Sequence, residues 1–135
     1  MNQLQQLSAP LGRIMLSAIF IMSGFSKISG YAATQGYMEA MGVSGSLLPL
    51  VIILEIVAGF AVLIGWQTRK AALGLAGFTL LSGILFHGDF TDQTQMIMFM
   101  KNVSMAGALL LLVNLGAGSY SLDQRRQNTL AEANS

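Results

Sequence analysis

Four stretches of this chain, at residues 11–28, 47–66, 71–87 and 97–115, are apolar and almost free of charge. A helix that crosses the hydrocarbon core of a bilayer needs roughly 20 mostly apolar residues, and each stretch approaches or meets that length. The clearest is 47–66, where Glu55 is the only charge between Glu39 and Arg69. The 71–87 run carries no formal charge, and 97–115 carries only Lys101, near its start. Arg13 and Lys27 interrupt the first run close to its two ends. Strands of a membrane barrel would alternate polar and apolar residues over about 10 positions, and these runs do not. The expected fold is therefore all-α: an integral membrane four-helix bundle forming one domain over 1–135, with a polar tail at 121–135.

Composition agrees. Hydrophobic residues make up 53% and charged residues 10%, whereas a soluble domain has about a quarter of its residues charged. The net charge is +1, with no basic run beyond Arg69-Lys70 and Arg125-Arg126, so nucleic acid is not an expected partner. The lipid bilayer is. No cysteine is present, which removes disulfides, thiol chemistry and cysteine-ligated clusters from this chain. His87 is the single histidine and excludes a bis-histidine haem within one subunit. His87, Asp89 and Asp92 were weighed as a cation site and set aside, because Asp92 reads as a helix cap and His87 as an interfacial side chain; no metal is expected. Met96, Met98 and Met100 alternate, a spacing that cannot line one helical face. No catalytic motif is present, so the sequence leaves open whether the chain is an enzyme.

Punctuation sets the helix limits. Ser44 or Ser46 suits the cap of the second helix, with Pro49 in its first turn. Thr68 suits the cap of the third, and Asp92 with Gln95 has capping-box spacing ahead of the fourth. Trp66 and Tyr120 lie where interfacial aromatics belong. Arg13, Arg69, Lys70, Arg125 and Arg126 flank one side of the bundle, against Lys27 and Lys101 on the other. By the positive-inside rule both termini are expected to be cytoplasmic. An alternative makes 14–26 a signal-peptide core with Ala32-Ala33 near its cleavage point. The lysine directly after that core, and three further spans wanting a fourth, argue against it. Tyr31, Tyr37, Met38 and Met41 suggest a weakly amphipathic stretch on the outer surface.

Glu55 is the most informative residue. A carboxylate at bilayer depth is costly, so it is expected to face the bundle interior beside a partner. At 1.5 Å per residue, Glu55 lies about 12 Å below the outer end of its helix and Lys101 about 6 Å down its own. Glu55–Lys101 is thus the favoured pair and Glu55–Lys27 the second. Arg13, Ser17, Phe20, Gly24 and Lys27 fall at i, i+4, i+7, i+11 and i+14, one stripe of the first helix. Ala58, Gly59 and Val62 share the Glu55 face, and Ser104, Met105 and Ala108 share the Lys101 face with Asn102 adjacent. The candidate polar site is Glu55, Lys101, Lys27, Asn102, Ser104, Phe20 and Met105. An ion pair that merely fixes helix register is the competing reading.

Across nearly its whole length the chain resembles the DoxX family of small bacterial inner-membrane proteins. The resemblance rests on FIMSGFSKISGY (20–31), GYMEAMGV (36–43), LPLVIILEIVAGFAVLIGWQTR (48–69), FMKNVSMAGALLLL (99–112) and GAGSYSLD (116–123). Lys27, Glu55, Thr68-Arg69, Lys101-Asn102 and Ser121–Asp123 look like the family's polar signature. The resemblance implies a multi-pass inner-membrane protein loosely tied to quinones, as an accessory part of a membrane redox or detoxification system. A bound quinone and a redox partner subunit follow as expectations, and the missing cysteines separate the chain from vitamin K epoxide reductase-like chemistry. A non-catalytic lipid or lipophilic-molecule carrier and a membrane scaffold stand as alternatives. A homo-oligomer is a further expectation, with Ala72 and Ala76 as a small-residue contact face.

Overall fold

The computed structural model describes residues 2–135. Among them lie six helices: α1 Gln3–Ser29, α2 Tyr31–Ala40, α3 Gly45–Ile64, α4 Thr68–Phe86, α5 Gln93–Leu115 and α6 Leu122–Ala133. Four of these, α1, α3, α4 and α5, are long and apolar enough to cross a membrane. They run antiparallel in chain order, so one end of the bundle carries α2 and the other carries α6.

Local chemistry sets the boundaries. Asn2 accepts from the Gln5 amide at 2.9 Å and caps α1, which therefore starts well before residue 11 and runs through Pro10. Ser44 opens α3 by accepting from the Ser46 amide, and Pro49 sits in the first α turn. Over Leu54–Ala58 the helix widens into a π turn. It stops at Gly65, whose φ of 74° is left-handed and whose missing side chain leaves room for Arg13; a Cβ there would stand 2.7 Å from Nη1.

Two capping expectations change, and so does the reading of the tail. Thr68 does not cap α4; the preceding Gln67 makes no side-chain cap, and Asp123, distant in sequence, accepts from the Gln67 and Thr68 amides at 2.9 Å each. Burial alone would raise the Asp123 pKa, but these amides and nearby Arg126 together hold it below the ordinary value. Asp92 does cap α5, through the Thr94 amide, yet Gln95 turns away to accept from Asp89, so no capping box closes. The polar tail is the helix α6, capped by Ser121.

Lipid tails are as apolar as the side chains they meet, so close packing and polar contacts rather than water exclusion hold such helices together. The main core is correspondingly rich in small residues: Ala58, Ala72 and Ala76 with Val62, Leu75, Leu109 and Phe20. Ala72 and Ala76 are spent inside the bundle, so they offer no face to a second copy. The α1 stripe faces inward, with Arg13, Ser17, Phe20 and Gly24 buried. A Cβ on Gly24 would lie 2.6 Å from Ile56 Cγ1, and one on Gly59 2.9 Å from Ile21 Cγ1, so α1 and α3 nearly touch backbones. A second core joins Met38, Leu48 and Ile52 at the α2 end. The amphipathic stretch expected on the membrane surface is thus α2, folded over the bundle with Met38 buried. Large apolar side chains such as Met15, Met22, Leu73, Ile84 and Leu111 point outward to lipid.

Candidate functional site

Below α2, all four long helices surround a cavity of about 270 Å³. From α1 come Phe20, Ser23 and Lys27, spaced to share one face; α3 brings Glu55, α4 brings Phe78 and Thr79, and α5 brings Asn102 and Met105. Tyr37 of α2 stacks on Phe86 of α4 with centroids 5.5 Å apart, closing the roof. Phe, Tyr and Met side chains share the lining with polar ones, among them Ser23, Thr34, Ser82 and His87, a mixture that suits a small molecule carrying both ring and oxygen.

Glu55 sits within the π turn of α3, 2% exposed. Such turns recur at functional positions because the extra residue re-aims side chains off the regular helical stripe. The Lys27 ammonium stands 2.7 Å from Glu55 Oε1 and also donates to the Ser23 hydroxyl. Lys27 is the one partner of Glu55 Oε1. The Lys27 side chain is 25% exposed, so the pair is not sealed from its surroundings. The Thr79 hydroxyl is buried without a partner, while the Thr79 carbonyl accepts from Asn102 Nδ2 at 3.1 Å. A carboxylate with a single cationic partner and one unpartnered hydroxyl therefore belong to the lining of the same cavity, where a ligand or water can meet them.

The structure sorts the expected site residues into two groups. Glu55, Lys27, Asn102, Phe20 and Met105 line the cavity. Lys101 and Ser104 do not; both are exposed and line a groove on the outer face of α5. The favoured Glu55–Lys101 pair is replaced by Glu55–Lys27. The reason is rotational: α5 packs against α4 through Asn102, Ala106 and Leu109, which turns the neighbouring Lys101–Ser104–Ala108 face outward. Thr79, Tyr37 and Phe86 were missed. Their only sequence signal was a hydroxyl or ring within an apolar run, which does not distinguish cavity from lipid. Among the described residues no cluster of His, Asp or Glu suits a metal ion; Asp89 instead holds the Thr91 amide and Asp92 caps α5.

The DoxX family profile matches residues 9–88, which hold α1 to α4 and with them Lys27, Glu55 and Thr79. The chain belongs to the DoxX family. It is similar to inner membrane protein YqjF of Escherichia coli (strain K12), at 49% identity over 124 residues, 92% of this chain and 95% of that protein. It is also similar to inner membrane protein YphA of the same organism, at 37% identity over 123 residues, 85% of this chain and 87% of that one. No solved structure matches the chain. Those relatives also reach across α5, so the DoxX likeness takes in all four walls of the cavity. With four helices able to span a bilayer, this DoxX protein is a multi-pass protein of the bacterial inner membrane.

Proposed function

We propose that this DoxX protein binds the oxygen-bearing ring of a quinone or small phenol in the Glu55 cavity, as an accessory part of a membrane redox or detoxification system. The observation that carries this reading is the Glu55 carboxylate, 2% exposed and paired only with Lys27, in the lining of a cavity that also holds Phe, Tyr and Met. A phenolic hydroxyl would donate to that carboxylate. The Lys27 ammonium, beside it, would polarise a ring carbonyl, and Thr79 and Asn102 lie across the chamber for a second oxygen. A volume of about 270 Å³ suits one ring with its tail leaving toward lipid. With no cysteine in the chain, electrons would come from a redox partner subunit.

Both termini are cytoplasmic in this reading, supported by Arg13, Arg69, Lys70, Arg125 and Arg126 at the α6 end against Lys27 and Lys101 at the other. The cavity then opens in the outer half of the membrane. One observation favours a second reading, carriage of a lipophilic molecule without chemistry. Ile19, Asn102 and Met105 line both the cavity and the outer groove of α5, giving a side route from lipid.

Native mass spectrometry with solvent extraction of the purified protein tests the proposal. A ring-bearing compound should accompany the wild type and be absent from Glu55→Gln at unchanged thermal stability. Recovery of no ring-bearing compound would overturn the quinone reading, and phospholipid that Glu55→Gln releases would favour the carrier.

A further inference from the structure

We infer that the α6 end of the bundle carries a second binding site, independent of the Glu55 cavity, for the phosphate of an anionic phospholipid. There the start of α4, the α5–α6 loop and the first turns of α6 enclose a cavity of about 440 Å³ lined by Arg69, Lys70 and Arg126. All three cations are exposed, and none forms an ion pair; among the described residues that contact occurs only between Lys27 and Glu55. Asp123 is the one carboxylate in the lining. Its two oxygens are already occupied by the Gln67 and Thr68 amides. Three cations against one carboxylate leave two positive charges facing the space.

Arg69 lies over the end of α5. A Cβ on Gly116 would stand 3.1 Å from both Nε and Nη2, so the glycine leaves the guanidinium room against the bare backbone there. An arginine fork suits a phosphate, which takes paired charge-assisted hydrogen bonds.

The apolar flank selects a lipid over a free anion. Leu115 lines the same cavity, is 72% exposed, and ends a membrane-spanning helix; Leu130 lies on the opposite side. Trp66, 51% exposed, belongs to the same end of the bundle, where interfacial aromatics mark head-group depth. Basic pockets at this depth attract anionic head groups, and an acyl chain descending past Leu115 would cover its face. A free phosphate could use only the cations.

The test is native mass spectrometry of the full chain in detergent, titrated separately with phosphatidylglycerol, phosphatidylcholine and inorganic phosphate. Saturable binding of one phosphatidylglycerol is expected, with phosphatidylcholine and inorganic phosphate at least tenfold weaker. Arg69→Gln with Arg126→Gln should weaken it by about fivefold per charge. Arg125→Gln removes an equal charge one residue away, from a different groove beside Tyr120 and Asn128, and should change it less than twofold. Equal loss in Arg125→Gln, or phosphatidylcholine bound as well as phosphatidylglycerol, would overturn the site. Inorganic phosphate bound equally well would overturn the lipid assignment. If the double variant does not assemble, Lys70→Gln, on an exposed side chain, carries the same comparison with Arg125→Gln.

Discussion

The two ends of the bundle bury charge in opposite ways. At the α6 end, Arg13 is 2% exposed and its two terminal nitrogens donate to the carbonyls of Leu63, Ser119 and Tyr120 at 2.8–3.0 Å. Asp123 there closes the start of α4, and its own amide donates to the Gly65 carbonyl at 2.8 Å. Apart from Arg13 Nε and the Thr68 hydroxyl, these groups are satisfied by backbone in fixed positions. At the α2 end, Glu55 is met by the partly exposed Lys27 ammonium alone, and the Thr79 hydroxyl beside the same cavity has no partner. Buried charge met by fixed backbone groups holds a fold together, whereas charge met by one side chain at a cavity leaves room for something that visits. The contrast separates structural charge from functional charge within one small domain.

The largest effect that could break this contrast is on the structural side. Arg13→Met should destabilise the bundle by at least about 3 kcal/mol, because three charge-assisted hydrogen bonds disappear and buried carbonyls lose their donors. Unfolding in mixed detergent reads this directly, and a loss below about 1 kcal/mol would make Arg13 no more structural than Glu55. Next comes the seam that delivers Glu55. Gly24→Ala drives a methyl toward Ile56, beside the π turn, and should cost about 1–3 kcal/mol by overpacking. It should also reduce occupancy of the cavity, since the turn that aims Glu55 must shift; occupancy equal to wild type would detach the site from the α1–α3 contact.

Asp123→Ala should cost about 1 kcal/mol, the ordinary value of a helix cap. Its pH dependence has a definite sign. The folded pKa lies below the unfolded one, so the carboxylate's contribution is complete above the ordinary aspartate value of about 4 and disappears as pH falls through the lower folded value. A wild-type stability loss in that acid window, absent from Asp123→Ala, is the expected result. Identical acid profiles would assign the loss to other groups.

The fold was legible where burial and span length dominate. Four long apolar runs read directly as four helices, and the α1 stripe from Arg13 to Gly24 faced inward as its spacing required. Long-range polar contacts were not legible. No local rule links Asp123 to an amide 56 positions away in the chain, so Thr68 looked like the cap. Rotation of α5 was equally hidden. Its exposed and buried faces are both apolar, with Leu110 and Leu111 facing out and Leu109 facing in, so hydropathy carries no phase and Lys101 could be assigned inward. The π turn was invisible for a related reason: LEIVA has no breaker residue, and the turn lies where α3 meets Gly24 of α1, a contact distant in sequence.

That hidden rotation yields the smallest and most discriminating prediction. Lys101 and Lys27 have the same chemistry and lie at the same end of the bundle, but only Lys27 reaches Glu55. Lys101→Met removes an exposed ammonium from the outer groove and should change stability by less than about 0.5 kcal/mol, the usual range for a surface position. It should leave cavity occupancy as in the wild type. Lys27→Met leaves the buried carboxylate without its counter-charge and should abolish occupancy of a phenol or quinone. If Lys101→Met emptied the cavity and Lys27→Met did not, α5 would have to be turned by about 100°, and the two ends of the bundle would no longer differ in kind.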